Sequence, residues 1–266
     1  MSLSYALVAA PGRTPERYMV FLHGILGRGG NWRGIARRFV AERPAWGAAL
    51  VDLRLHGGSQ EGFAPPHTID AAAADLDGLA LPAPIAGVLG HSFGGKVALA
   101  YAARRGDLEV AWVIDALPGA RAAAPGDSTQ AVMELLARLP QRHRSREAFM
   151  AAVETAGQPR GIAEWLAMNL VRDVDAYRLA LDLPALRELL ADYFARDLWP
   201  VVESPPGATR LHLVIATGAT TFSAADRDRA LRLLQAPERR LSVHLLPTGH
   251  WVHSEAPGDL LRLLVA

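Results

Sequence analysis

Short apolar runs recur along the 266-residue chain, and each is followed by a turn and then by a pattern with helical spacing. Six runs are apolar at successive positions instead of alternating, and they span 18–24, 47–58, 85–92, 109–119, 210–218 and 241–250. A strand of this kind is buried on both faces of its sheet. Alternation of such strands with helices predicts an α/β fold with a mostly parallel central sheet flanked by helices.

The rhythm changes between residues 118 and 207, where helical patterns follow one another without an apolar strand. In this stretch the helical patterns cover 129–139, 145–157, 161–171 and 184–198, whereas elsewhere they cover 31–43, 93–105, 223–235 and 257–266. We therefore predict a core formed by 1–117 and 208–266, with an all-helical cap at 118–207. Pro- and Gly-containing stretches at 124–126 and 203–208 are the expected hinges.

Composition excludes several classes of function. The formal net charge is +1, so there is no electrostatic argument for a nucleic-acid partner or an anionic membrane. The chain has no cysteine, which excludes disulfides, thiolate metal sites and a cysteine nucleophile. No apolar run approaches the roughly 20 residues that span a bilayer, and the N-terminus lacks the basic region of a signal peptide. We expect a cytoplasmic protein, either a monomer or a homodimer.

The stretch Gly90-His91-Ser92-Phe93-Gly94 fits the pattern G-x-S-x-G between a predicted strand and a predicted helix. Glycines two positions either side of the serine allow a tight turn that larger side chains would obstruct. Such a turn exposes the hydroxyl of Ser92 as a nucleophile. It also places the N–H of Phe93 at the start of a helix, where it can stabilise an oxyanion.

A phosphate-binding loop is the competing interpretation, because Gly90 to Lys96 also fits G-x-x-x-x-G-K. Val97 then stands where the metal-binding serine or threonine of that loop should be. Two apolar strands also precede this loop, whereas a phosphate-binding loop usually follows the first strand of its domain. The nucleophile interpretation is therefore favoured.

Two further motifs follow predicted strands. His23-Gly24-Ile25 closes the first strong strand, and Thr248-Gly249-His250-Trp251 follows the last one. Together with the serine turn, these motifs occur in the order seen in the α/β-hydrolase superfamily, which the chain resembles over nearly its whole length. The branch it resembles most is that of small bacterial serine esterases and acyl thioesterases, which share GHS-x-GGK and GHWVH.

The resemblance implies an α/β-hydrolase fold with the cap inserted after strand 6 of that fold. It also implies that His250 is the base for Ser92 and that the N–H of Ile25 is the second oxyanion donor. His253, three residues later, is the alternative base. An isolated histidine is more often structural, but the position of His250 after the final strand reverses that expectation.

The acid of a catalytic triad is harder to assign. In many hydrolases it follows the seventh strand, but here the usual slot near Thr220 or Thr221 holds no carboxylate. Asp115 ends an apolar strand at the carboxyl edge of the sheet, where catalytic groups gather, and it is the first choice. Asp182 and then Asp226 are the alternatives.

The expected function is hydrolysis of carboxylic esters or thioesters of small to medium acyl chains through an acyl-enzyme on Ser92. No cofactor is required, and the chain has no H-E-x-x-H pattern that would indicate a metal site. C–C bond hydrolysis, perhydrolysis and a non-catalytic ligand-binding role remain as alternatives, because one fold supports many chemistries.

Overall fold

The computed structural model describes residues 2–122, 128–235 and 240–266, so the predicted hinge at 124–126 lies outside the described residues. The strands are β1 (Tyr5–Val8), β2 (Arg17–Leu22), β3 (Trp46–Val51), β4 (Ile85–His91), β5 (Val110–Ile114), β6 (Arg142–His143), β7 (Leu170–Asp173), β8 (Ala176–Leu179), β9 (Arg210–Ala216) and β10 (Leu241–Leu246). The helices are α1 (Arg33–Glu42), α2 (Ile69–Asp75), α3 (Phe93–Arg104), α4 (Ser128–Arg138), α5 (Arg146–Thr155), α6 (Arg160–Ala167), α7 (Leu183–Ala195), α8 (Trp199–Glu203), α9 (Ala224–Arg232), α10 (Val252–Glu255) and α11 (Pro257–Val265).

Seven strands form the central sheet, in the order β1-β3-β2-β4-β5-β9-β10. Every neighbouring pair is parallel except β1 with β3, which is antiparallel. Successive residues of β2 enter different cores, since Val20 packs in the core on one face and Phe21 in the core on the other. This confirms the predicted mostly parallel sheet with helices on both faces.

The segment between β5 and β9, residues 118–207, is called the inserted segment below. Its described residues include α4 to α8 and a small sheet with the order β6-β8-β7, so the prediction of an all-helical stretch is wrong. The pattern at 161–171 looked like one helix, but α6 ends at Ala167 and β7 begins at Leu170. The three strands are two to four residues long, which is too short for alternation to show in the sequence.

The carboxyl ends of four adjacent strands meet at one edge of the central sheet. Ser92 follows β4, Asp115 follows β5, Thr217 follows β9 and Pro247 follows β10. The motif that begins with His23 follows β2, the other neighbour of β4. Parallel strands place their following loops together, so the three predicted motifs and Asp115 converge there. None of the helices in the described ranges is long and apolar enough to cross a lipid bilayer.

Candidate active site

Ser92 lies in a tight turn between β4 and α3, with φ 53° and ψ −120°. A positive φ is strained for serine, and the Ser92 N–H helps to hold the turn by donating to the carbonyl of Ile114 at 2.9 Å. The two flanking glycines are required by space. A Cβ on Gly90 would lie 1.9 Å from the carbonyl oxygen of Gly94, and a Cβ on Gly94 would lie 2.5 Å from that of His23.

His250 and Asp115 form a close contact at the same edge of the sheet. Nδ1 of His250 donates to Oδ2 of Asp115 at 2.6 Å, and the Asp115 side chain is fully buried. Oδ1 of Asp115 accepts from the N–H of Ala216 at 3.1 Å. A carboxylate bound to Nδ1–H fixes the imidazole tautomer in which Nε2 is the basic nitrogen. Of the three acids considered from the sequence, the structure places Asp115 beside His250.

Thr221 joins this pair, and the sequence analysis gave it no role. Its hydroxyl donates to Oδ2 of Asp115 at 2.8 Å and lies 3.2 Å from Nδ1 of His250. It occupies the slot after β9 where the sequence lacks the expected carboxylate. One indication was present in the sequence: the slot usually occupied by the acid holds a threonine. Its hydroxyl lies within hydrogen-bond reach of Asp115, which follows β5.

Asp182 and Asp226, the alternative acids, both cap helices. Oδ1 of Asp182 accepts from the N–H of Ala185 at 3.0 Å, at the start of α7. Asp226 forms a capping box with Ser223 at the start of α9, in which Oδ2 accepts from the Ser223 N–H at 3.1 Å. These contacts account for both carboxylates by helix capping.

The loop after β2 fixes the peptide group between Gly24 and Ile25, and this sets the direction of the Ile25 N–H. The oxygen of Gly24 accepts from Nδ1 of His23 at 2.8 Å and from the N–H of Gly27 at 2.9 Å. In a trans peptide the C=O and the N–H point in opposite directions. The Ile25 N–H therefore points away from these partners, and Ile25 lines the same cavity as Ser92 and Phe93.

Two buried histidines hold this loop against the segment after β3. Nε2 of His23 accepts from the N–H of Leu53 at 3.0 Å, and Nε2 of His56 accepts from the N–H of Leu26 at 3.0 Å. Burial lowers the pKa of His23 to about 4 and that of His56 to about 3. Both rings are therefore neutral near neutral pH, which each Nε2 needs in order to accept a hydrogen bond.

His91 and His253 pack beside His250. Nε2 of His91 donates to the backbone carbonyl of His250 at 2.7 Å, and burial lowers the pKa of His91 well below its ordinary value. The ring of His253 lies 5.0 Å from the ring of His91 and 5.0 Å from that of Trp32. His253, the alternative base, is thus packed behind His91, whereas His250 is the histidine that contacts the acid.

A cavity of about 830 Å³ opens beside Ser92 and His250. Its apolar wall comes mainly from the inserted segment and comprises Val132, Ile162, Trp165, Leu190, Tyr193 and Phe194. Trp165 also meets Trp251, the neighbour of His250, with ring centroids 5.0 Å apart. An apolar cavity against a nucleophile and a base can hold the carbon chain of a substrate while its polar end is exposed to the two side chains.

Lys96, which a phosphate-binding loop would use, is 1% exposed and faces backbone oxygens. Its ammonium donates to the carbonyls of Gly119, Tyr193 and Arg196 at 2.8, 2.6 and 2.7 Å. These three acceptors match the three N–H groups of lysine, so Lys96 ties α3 to the start of the inserted segment and to the end of α7. Across the described ranges, no group of three or more His, Cys, Asp or Glu residues is arranged to hold a metal ion.

Comparison with known proteins gives consistent matches over the whole chain. A model of the alpha/beta hydrolase family matches residues 19–263. The sn-1-specific diacylglycerol lipase ABHD11 of Mus musculus is 29% identical over 98% of this chain and 83% of its own length. Lipase LipV of Mycobacterium tuberculosis is 30% identical over 94% of this chain and 92% of its own length. The solved structure of a marine microorganism esterase superposes with a TM-score of 0.81 at 19% identity, covering 98% and 97% of the two chains.

Proposed function

Because this chain belongs to the alpha/beta hydrolase family, we propose that it is a serine hydrolase of carboxylic esters or thioesters with small to medium acyl chains. The observation that carries this proposal is the 2.6 Å contact of Asp115 with His250 beside a cavity that Ser92 also lines. A 30% identical relative named as a lipase supports the same class of reaction.

In the proposed mechanism, Nε2 of His250 takes the proton of the Ser92 hydroxyl as its oxygen attacks the acyl carbon. The N–H groups of Ile25 and Phe93 stabilise the oxyanion, each contributing about 3 kcal/mol to the lowered barrier. His250 then protonates the leaving alcohol or thiol, which departs and leaves an acyl ester on Ser92. Water, deprotonated by His250, attacks this ester and releases the acid.

The residues that line the cavity indicate separate roles for the core and for the inserted segment. We assign 1–117 and 208–266 as the catalytic core and 118–207 as the cap that forms the acyl-binding wall. Aromatic and branched side chains such as Trp165, Leu190 and Phe194 favour an apolar acyl group. The same residues could serve C–C bond hydrolysis or perhydrolysis. We favour hydrolysis of esters and thioesters over these two reactions because the relatives are named for ester cleavage.

A first experiment tests the serine chemistry directly. Wild type and Ser92→Ala are assayed with p-nitrophenyl acetate, butyrate and octanoate and with the matching thioesters. Both are also treated with a fluorophosphonate probe and analysed by mass spectrometry. We expect turnover and a probe adduct on Ser92 in the wild type and neither in the variant. A wild type that is neither labelled nor active would contradict the proposal and favour a ligand-binding role.

A further inference from the structure

Leu26, the residue after the proposed oxyanion donor Ile25, has a strained backbone. Its φ is 63°, in the left-handed region that a leucine adopts only at a cost in free energy. Such a conformation persists where neighbouring groups hold it in place. Both polar groups of the Leu26 backbone are held by buried side chains: its N–H donates to Nε2 of His56 at 3.0 Å, and its carbonyl accepts from Nδ2 of Asn169 at 2.8 Å.

These two partners come from different parts of the chain. His56 belongs to the core, where its Nδ1 donates to the carbonyl of Arg54 at 2.8 Å. Asn169 belongs to the inserted segment, in the turn between α6 and β7, and it is fully buried. Its own backbone is fixed within that segment, because its N–H donates to Leu166 at 3.0 Å and its carbonyl accepts from Ala180 at 2.9 Å. The Asn169 amide is therefore held in place by the inserted segment.

The other half of the Asn169 amide is a poor fit to its surroundings. Oδ1 of Asn169 is buried and has no hydrogen-bond partner among the described residues. Burying an unpaired polar atom of this kind costs about 1–3 kcal/mol. Rotating the amide by half a turn would place Oδ1 against the Leu26 carbonyl, where two acceptors would repel each other. The hydrogen bond to Leu26 is thus the favourable contact of a side chain whose burial is otherwise unfavourable.

We propose that Asn169 is a positioning residue for the oxyanion loop, so that the loop has its working geometry only when the inserted segment is seated on the core. This inference rests on the proposed function, and it adds a role for the inserted segment beyond lining the cavity. If the segment lifts, Leu26 loses one of its two holds and can leave the left-handed region. The Ile25 N–H, one residue away, then no longer faces the oxyanion. The site is competent when the segment is closed and impaired when it is open.

The test compares Asn169→Leu with Gln60→Leu as a matched control. Gln60 is a second core amide partner of the inserted segment, since its Nε2 donates to the Ala180 carbonyl, and this hydrogen bond is not made to the oxyanion loop. We expect Asn169→Leu to lower kcat for p-nitrophenyl butyrate by roughly 10- to 100-fold with KM changed less than about 3-fold. Gln60→Leu should keep kcat within about 2-fold of wild type. An unchanged kcat in Asn169→Leu, or equal losses in both variants, overturns the inference.

A second variant keeps the inference testable if Asn169→Leu does not fold. In Asn169→Asp, a protonated carboxyl can donate to the Leu26 carbonyl, whereas an ionised one repels it. We expect the ratio of kcat in this variant to that of wild type to fall as pH rises from 5.5 to 8.5. His56, on the other side of Leu26, stays neutral over this range because burial holds its pKa at about 3. A ratio that stays near 1 over this range contradicts the positioning role.

The wild type separates this inference from the function on which it rests. Wild-type protein that neither hydrolyses esters nor reacts with the fluorophosphonate probe overturns the proposed function, and the positioning role falls with it. Wild-type turnover together with normal kcat in Asn169→Leu and a ratio near 1 in Asn169→Asp overturns the positioning role alone.

Discussion

Nδ1 of His250 lies 2.6 Å from Oδ2 of Asp115 although 135 residues separate the two in the sequence. The two residues follow strands β10 and β5, which are not neighbours, because β9 lies between them in the sheet. The carboxylate therefore reaches His250 beneath the loop after β9, where Thr221 adds a hydrogen bond at 2.8 Å. In this chain the proposed acid follows the strand next to the one that precedes the proposed nucleophile, and the loop after β9 supplies a hydroxyl that donates to it.

Asp115→Asn should reduce kcat by about 10⁴-fold, because an amide in place of the carboxylate can stabilise the wrong tautomer of His250 and does not stabilise its cation. The measurement is steady-state hydrolysis of p-nitrophenyl butyrate. Asp182→Asn and Asp226→Asn are matched controls, since asparagine is also a good N-cap and both variants should keep kcat within about 2-fold. A large loss of kcat in either control, together with an active Asp115→Asn, would show that Asp115 is not the acid of the triad.

Moving the carboxylate to residue 221 should restore part of the lost activity. Oγ1 of Thr221 is 3.2 Å from Nδ1 of His250, so a carboxylate at this position can accept the same proton. In the Asp115→Asn background, we expect Thr221→Asp to raise kcat by about 10-fold or more through restored charge stabilisation. Thr221→Asn in that background has the same size without the charge and should give no rescue. Equal activity of the two double variants would argue against an electrostatic role.

Gly94→Ala should destabilise the fold and abolish activity. The added Cβ would lie 2.5 Å from the carbonyl oxygen of His23 and 2.7 Å from that of Leu22, and backbone oxygens have little freedom to move. We expect a loss of about 2–3 kcal/mol or more in the free energy of unfolding, measured with urea. Gly34→Ala is the control, because a Cβ there meets nothing within 4 Å in the exposed first turn of α1. That variant should match wild type or be slightly more stable.

Stability should fall in acid because His23 and His56 are buried as neutral rings. Their pKa values in the folded protein are about 4 and about 3, below the ordinary value of 6.5. Between these folded values and pH 6.5, the unfolded chain therefore binds more protons than the folded protein. The free energy of unfolding is therefore highest above pH 6.5. It should decrease by about 1.4 kcal/mol per pH unit for each of the two histidines as pH falls toward 4. Urea unfolding at several pH values between 4.5 and 7.5 measures this slope, and a flat profile would contradict it.

The sequence predicted those parts of the site that depend on local order. Gly90 and Gly94 mark the serine turn because the space around the turn excludes a side chain at either position. The pattern is visible within the five consecutive residues from Gly90 to Gly94. Five of the six predicted strands are mostly buried, and burial on both faces demands continuous apolar runs, whereas β10 at the edge of the sheet is only partly buried. The position of Asp115 at the end of one such run was enough to rank it above Asp182 and Asp226.

Contacts between distant segments were not predictable in the same way. Strand β1 was not predicted, because its apolar run of four residues is short and its side chains are partly or fully exposed at the edge of the sheet. The strands of the inserted segment are too short to show alternation. Thr221 and Asn169 are ordinary polar residues in sequence, and their contacts arise from the docking of segments that lie more than 100 residues from their partners.

The three carbonyl contacts of Lys96 have a consequence for how this architecture can be varied. Gly119 lies near the start of the inserted segment, whereas Tyr193 and Arg196 lie at the end of α7, and one ammonium on α3 binds all three. The chain between Gly119 and Tyr193 can be exchanged or resized without disturbing that anchor. Chimeras made within these limits that keep asparagine at position 169 should inherit substrate preference from the donor sequence while keeping the recipient's catalytic centre. With junctions placed outside them, the buried ammonium would depend on the donor backbone for its carbonyl acceptors.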